Sequence, residues 1–168
     1  VGRISAIIDH NYVKYQEDDA GFFGFYESIN DDEISHALFS AAENWLKKRN
    51  MKRMLGPMNP SIDHILGMLI DSFDIPPVVQ MGYNPDYYVS LCDKYGLKKE
   101  KDLFCYIMKR EWLELSDKIK RVAEVARKRN NITIRTLNMK KYDEEIELIH
   151  ELYNNGWNKN WGFVPWTK

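Results

Sequence analysis

Cysteine is scarce in this chain. Cys92 and Cys105 are the only two, and they have neither the spacing of a metal-ligand set nor the density of a disulfide scaffold, so a reduced, cytoplasmic setting is expected. Long apolar runs are also missing. The longest aliphatic stretch, Ile65 to Ile70, is far too short to span a bilayer, and no signal peptide opens the chain, so no membrane partner is expected. Net charge is nearly absent at −1, which leaves no global field to draw the protein toward nucleic acid. No short-period repeat or low-complexity tract occurs. Glycine, finally, is missing from the strand-to-helix turn of GFYESINDDEISHALFSAAENWL (24–46), where Asn30, Asp31, Asp32 and Glu33 stand instead.

What is present is an ordinary globular composition, 44% hydrophobic and 29% charged over 168 residues, enough for one well-buried domain or one domain and part of another. Aromatic residues reach 13%, and Trp157, Trp161 and Trp166 crowd the C-terminal end. The chain opens at Val1 inside a strand-like pattern and stops at Lys168 within apparent structure, which predicts a fragment of a longer protein.

Alternation of Ile4, Ala6 and Ile8 predicts a strand over 2–9, the charged patch Lys14 to Asp19 a hairpin turn, and 21–28 an aromatic second strand. Ile34, Ala37, Leu38, Ala41, Ala42, Trp45 and Leu46 keep the i, i+3, i+4 rhythm of a helix. Asn30 is its expected N-cap, with Glu33 as capping-box partner. Residues 51–59 read as a short buried strand ending at Pro60, and 60–86 as an irregular, unusually apolar stretch. A helix over 86–95 ends at Gly96, and 103–110 reads as a further strand. Ser116 caps a second long helix, Asn130-Asn131 breaks it, 132–137 reads as a strand, and Tyr142, Ile146, Ile149, Tyr153 and Trp157 form a last helical stripe. The class is mixed α/β, of α+β type.

The segment Leu91-Cys92-Asp93-Lys94-Tyr95-Gly96-Leu97 looks like the "L-Y-E-K-x-G-F" helix end of the acyl-CoA N-acyltransferase (GNAT) fold. Asn59 sits where that family often has an Asn after its fifth strand. GRISAIID, GFFGFYES and the helix over 31–49 are similar to its central V-shaped strand pair and following helix. ITIRTLN, a helix and NNGWNKNWGFVPWT resemble the opening of another such domain. The chain as a whole thus resembles the middle of a tandem GNAT-like bacterial protein. Residues 1–110 would be the latter part of a degenerate domain, 111–131 a linker helix, and 132–168 the opening strand and helices of a second domain, so that the GNAT-like fold is incomplete.

The resemblance implies an N-acyltransferase moving an acyl group from acyl-CoA, as cosubstrate and with no metal, to a small-molecule or peptide amine acceptor. Such enzymes bind the CoA pyrophosphate on the amides of a Gly-rich, basic strand-to-helix turn. Here a phosphate about 4 Å from one carboxylate would be repelled by roughly 4 kcal/mol at an effective dielectric of ~20. The acidic turn therefore reads as a structural cap, and CoA is expected to bind outside this segment, which would not be catalytic alone. Cys92 takes the place of the family's general-acid tyrosine, and Tyr88, on the same helix as Tyr87 and Tyr95, is the candidate substitute, against packing as the plainer role. Glu27 is placed like a glutamate some members use as base, against a strand-end charge facing solvent.

For acceptor binding the candidates are Asn59, His64 in the loop after it, and Trp157, Asn160, Trp161 and Phe163 in the C-terminal aromatic cluster, each against packing or solvation. The Met- and aromatic-rich stretch 60–86 reads equally as the floor of a channel for an apolar substrate and as core or interface. The basic helix over 109–130 intersperses acids and lacks aromatic platforms, so a solvated linker is expected rather than a nucleic-acid site. The rival functional class is a non-catalytic protein- or peptide-binding module that keeps the fold. The odd ends further predict that 132–168 docks on the 1–110 sheet or on a second copy, giving a homodimer through surfaces exposed by truncation.

Overall fold

The computed structural model describes residues 1–112 and 114–167; Leu113, in the expected linker, and Lys168, at the end of the expected second segment, lie outside the described residues. Two compact units divide the chain: Val1–Asp102 together with the C-terminal segment from Leu152, and Leu103–Glu151.

In the first unit, β1 (Gly2–Ile7) pairs antiparallel with β2 (Ala20–Ser28), and β2 pairs in parallel with β3 (Arg53–Leu55). β2 is the central strand, and each of its faces has its own core. Phe22 packs with Tyr12, Met58 and Val164, whereas Phe23 packs with Phe39, Tyr88 and Leu91. A strand covered on both faces is apolar throughout rather than alternating, which explains AGFFGF. Tyr12 comes from α1 (His10–Gln16), capped by Asp9, whose carboxylate accepts from the amides of Asn11 and Tyr12. The expected turn at 14–19 is therefore corrected. Most of the β1–β2 connection is helical, and the reversal is confined to Glu17, which sits left-handed at φ 52°.

α2 (Asp32–Lys47) buries Ser35, Phe39, Ala42 and Leu46 against the sheet. Its N-cap is Asp31, one residue later than the expected Asn30; the carboxylate accepts from Ile34 N at 3.0 Å. The strand expected over 51–59 is two pieces, β3 and β4 (Met58–Asn59), separated by Gly56-Pro57; β4 pairs antiparallel with β5 (Ile65–Leu66). The rest of 60–86 is irregular, as expected. Asn84 closes its base: its carboxamide oxygen accepts from Leu69 N at 2.7 Å and its NH2 donates to Leu69 O at 3.2 Å. α3 (Tyr87–Tyr95) follows and ends at Gly96, whose φ of 100° suits glycine. At the other end of this unit, Phe163 and Val164 are buried, and Gln16 Nε2 donates to Phe163 O at 2.6 Å.

The second unit contains α4 (Asp117–Arg129), capped by Ser116 and ended at Asn130 as expected, and the first part of α5 (Tyr142–Gly156). α4 buries no residue. Neither 103–110 nor 132–137 forms a strand, which corrects both expectations. Apolar alternation becomes a strand only with a ladder partner. Phe104 and Tyr106 instead lie 77% and 82% exposed. Among the described residues 132–137 pairs with no strand. Within the first unit, Phe163 and Val164 of its C-terminal segment pack against Tyr15 and the Phe22 core respectively. Among the described residues the architecture is mixed α/β with two small sheets and five α-helices.

Candidate functional site

The chemistry-bearing side chains of the first unit gather where β2 meets α3. β2 carries an irregularity there: Ser5 pairs with Gly24 but Arg3 with Glu27, so one extra residue is accommodated, and Phe25 is left-handed at φ 47°. The inserted residue shifts side-chain parity, which brings Tyr26 onto the Phe23 face while Phe25 and Glu27 face solvent. Two features hold the bulge. A Cβ on Gly24 would come within 1.9 Å of the Met58 carbonyl oxygen, so only glycine permits this approach of β2 to β4. Asn59 Oδ1 accepts from Phe25 N at 2.5 Å.

Beyond the bulge, α3 serves the strand end with side chains. Ser28 N donates to the Tyr88 hydroxyl oxygen at 3.0 Å, and the Tyr87 hydroxyl donates to Ser28 O at 2.9 Å. Tyr88 is only 6% exposed, and burial is the first cause of its raised pKa. Its oxygen is an acceptor toward Ser28, so its proton remains to be donated elsewhere. Tyr26 lies beside it, ring centroids 4.8 Å apart, with its hydroxyl 2.7 Å from Ser35 Oγ. Cys92, one α3 turn on, packs against the same cluster, and burial followed by the Asp93 charge pushes its thiol up to about 12. A thiol so placed stays protonated and is no nucleophile near neutrality.

Glu27 is exposed and paired with Arg3 at 2.6 Å. Two carboxylates of the acidic turn are engaged in structural bonds: Asp31 caps α2, and both Asp32 oxygens accept from Lys94 Nζ at 2.8 and 2.9 Å. A cation from α3 thus neutralises one carboxylate of the acidic turn.

The remaining candidates lie apart from this cluster. His64 is exposed, with Nδ1 2.7 Å from Ser61 Oγ. Its neighbour Asp63 accepts from the Tyr153 hydroxyl at 3.0 Å. Tyr153 stacks on Trp166 at 3.9 Å and lies near-parallel to Trp157 at 6.3 Å. Trp157, Asn160 and Trp161 are exposed; Trp157 O accepts from Asn160 N and Asn160 O from Phe163 N, so this stretch is a tight turn. Phe163 is buried against Tyr15 and Tyr153, and its ring serves the core. Asn59, too, uses its carboxamide oxygen on the backbone.

Sequence reading passed over Asn84 as the clasp of the 69–84 loop and Ser35 as the partner of Tyr26. The Asn84-Pro85 dipeptide is a turn signal that marks the former; nothing local marks the latter.

No family model matches the chain, and no solved structure matches it. Among curated proteins, it is 37% identical over 168 residues to Protein YghO of Escherichia coli (strain K12), all of this chain and 43% of that protein. It is 35% identical over 175 residues to Bacterial ceramide synthase of Caulobacter vibrioides (strain NA1000 / CB15N), again all of this chain and 44% of that protein. The chain is therefore similar from end to end to two bacterial proteins, and spans less than half the length of each.

Proposed function

We propose that the chain is part of an N-acyltransferase that moves an acyl group from acyl-CoA to an amine. The observation that carries this reading is its end-to-end similarity to a protein named bacterial ceramide synthase. A ceramide is an N-acylated long-chain amino alcohol, so a synthase of it forms an amide bond. In such a transfer the amine nitrogen attacks the thioester carbonyl, the C–N bond forms, the C–S bond breaks, and the leaving thiolate takes up a proton. The amine loses one proton in return.

The strand end supplies groups for both transfers. Tyr88, held by Ser28 N and kept protonated by burial, is the donor toward the thiolate. Glu27, exposed and ion-paired, is the acceptor for the amine proton by way of solvent. Cys92 is half-buried in the helix packing and serves that packing. The CoA phosphates bind outside residues 28–36, since Asp31, Asp32 and Glu33 repel them and the Ile34 amide is already served by the Asp31 carboxylate. The tandem GNAT-like arrangement belongs to the same reading.

The test is thiol release by the full-length protein from acetyl-CoA and from a long-chain acyl-CoA, with and without amine. Amine-dependent release is expected, with Tyr88→Phe lowering kcat by about tenfold to a hundredfold and leaving KM for the amine nearly unchanged. Absence of release from either thioester would overturn the reading in favour of a non-catalytic binding module.

A further inference from the structure

α4 (DKIKRVAEVARKR) carries six lysines and arginines against two acids, in a chain whose net charge is −1. The turn of the helix sorts these side chains by direction. Ile119, Val122, Ala123, Val125 and Ala126 fall within one arc of about 160°. Lys120 and Arg127 lie along one border of that arc, and Arg121 and Lys128 along the other. Lys118 and Arg129 stand inside the arc but at the two ends of the helix, where long stems carry their charges outward. Asp117 and Glu124 point the opposite way from the apolar arc. All of this faces solvent: α4 buries no residue, and Ile119, Val122 and Val125 are 51%, 60% and 59% exposed.

Plainer roles account for part of the pattern. Arg127, Lys128 and Arg129 complement the dipole at the helix C-terminus, and Lys120 makes a long, exposed contact with Asp117 at 3.7 Å. Neither explains the open apolar arc, because a helix of 13 residues ordinarily draws its stability from packing such a face. A second copy of α4 is a poor cover, since the cations bordering the arc would meet cations. Nucleic acid satisfies the charges and leaves the arc in water. An anionic lipid surface serves every part: the acyl boundary takes the apolar side chains, the headgroups take the bordering cations, and the acids face water.

We propose that α4 lies in the plane of an anionic bilayer surface, with Ile119, Val122 and Val125 at the acyl boundary and Lys120, Arg121, Arg127 and Lys128 at the lipid phosphates. The expected absence of a membrane partner rested on the lack of a spanning run, and a helix lying in the interface needs none. This surface is independent of the acyl-transfer reading, and its test needs no activity.

Co-sedimentation of the full-length protein with vesicles of phosphatidylcholine alone, and of phosphatidylcholine mixed two to one with phosphatidylglycerol, tests the assignment. The mixed vesicles are expected to bind at least tenfold more tightly, an advantage that shrinks with added salt. Lys120→Gln/Arg127→Gln is expected to weaken that binding about tenfold, and Ile119→Gln/Val122→Gln about tenfold as well. Glu124→Gln, on the far side, should change it less than about threefold. All five positions are exposed, so unchanged circular dichroism is expected. On the unaltered protein, the mixed vesicles should slow tryptic cleavage after Arg121 and Arg127, and phosphatidylcholine alone should not.

Equal binding to the two kinds of vesicle, or binding to neither, would overturn the assignment. So would binding that survives Ile119→Gln/Val122→Gln, which would leave a plain basic patch. Displacement of the vesicles by poly-glutamate at equal charge would also sink it, and would make the occupant an acidic polypeptide.

Discussion

Asn59 accepts the amide proton of Phe25 at a strand irregularity that nothing else in β2 stabilises as directly. Asn59→Ala removes the acceptor from an N–H that water can reach and is expected to cost about 0.5–1.5 kcal/mol, read as a lower urea midpoint at constant slope. Asn59→Asp keeps an oxygen in place and should recover at least half of the loss. Cys92 makes a different prediction. Its thiol is pushed from an ordinary 9.0 to about 12 by burial, so the folded state holds the proton more tightly than the unfolded one. The stability this contributes is complete below pH 9 and is lost as pH rises from 9 toward 12. Thermal midpoints should fall over that window, and less steeply in Cys92→Ala. Tyr26 and Tyr88, also raised by burial, act in the same direction above pH 10. At pH 8 a single equivalent of iodoacetamide should label the exposed Cys105 ahead of Cys92, as peptide masses would show. None of these particulars is visible in sequence, because a bulge partner and a burial shift are both made by residues distant along the chain.

α2 shows how far an element can be read from its own residues. The apolar rhythm from Ile34 to Leu46 marks the helix, and Ala42 and Leu46 of that stripe are inside, but Ala37, Ala41 and Trp45 are exposed and the buried face takes in Ser35 and Phe39 instead. The first residue is another matter, since Asn30 and Asp31 are equally good caps and periodicity does not distinguish adjacent positions. Asp31→Ala should therefore lower stability by about 1 kcal/mol and Asn30→Ala by less than about 0.5. Asp32→Ala, which removes an exposed pair with Lys94, should cost about 0.2–1 kcal/mol and lose its effect in high salt. α1 was legible only in part. Asp9 is a sound cap signal, but the charges from Lys14 to Asp19 draw the eye to a turn, and Tyr12 declares itself only through its packing on Phe22. The segments 103–110 and 132–137 carry strand composition without a ladder. α4 has caps and an amphipathic stripe, yet Ile119, Val122 and Val125 are exposed. Ser116→Ala is accordingly expected to reduce helical circular dichroism slightly while leaving the cooperative melting midpoint where it is.

On the scale of the whole molecule the burial is unequal. The first unit encloses both cores around β2, while among the described residues of the second the buried one is Glu145, held by Arg135 Nη1 at 2.8 and 2.9 Å. Limited trypsin digestion should cut first between Lys109 and Arg129 and spare the bonds after Arg3 and Arg53, which lie in paired strands. No described helix is long and apolar enough to cross a membrane.

By itself the sequence determined the mixed class, the central aromatic strand, the boundaries of α3 and α4, and the irregular nature of 60–86. Each rests on local signals: periodicity, caps, and the backbone limits of proline and glycine. It also determined that the acidic turn starts a helix well, because charge at a helix N-terminus is a local matter. Only the tertiary structure decided that Tyr26 and Phe23 share a face, that Tyr87 and Tyr88 serve both main-chain groups of Ser28, and that Asn59 braces a bulge. It alone decided, too, that Phe163 is core while Trp157 is surface. Those outcomes depend on which groups meet across tens of residues, and pairing of that kind is settled by closure of the sheet and exclusion of water, not by any window of the chain.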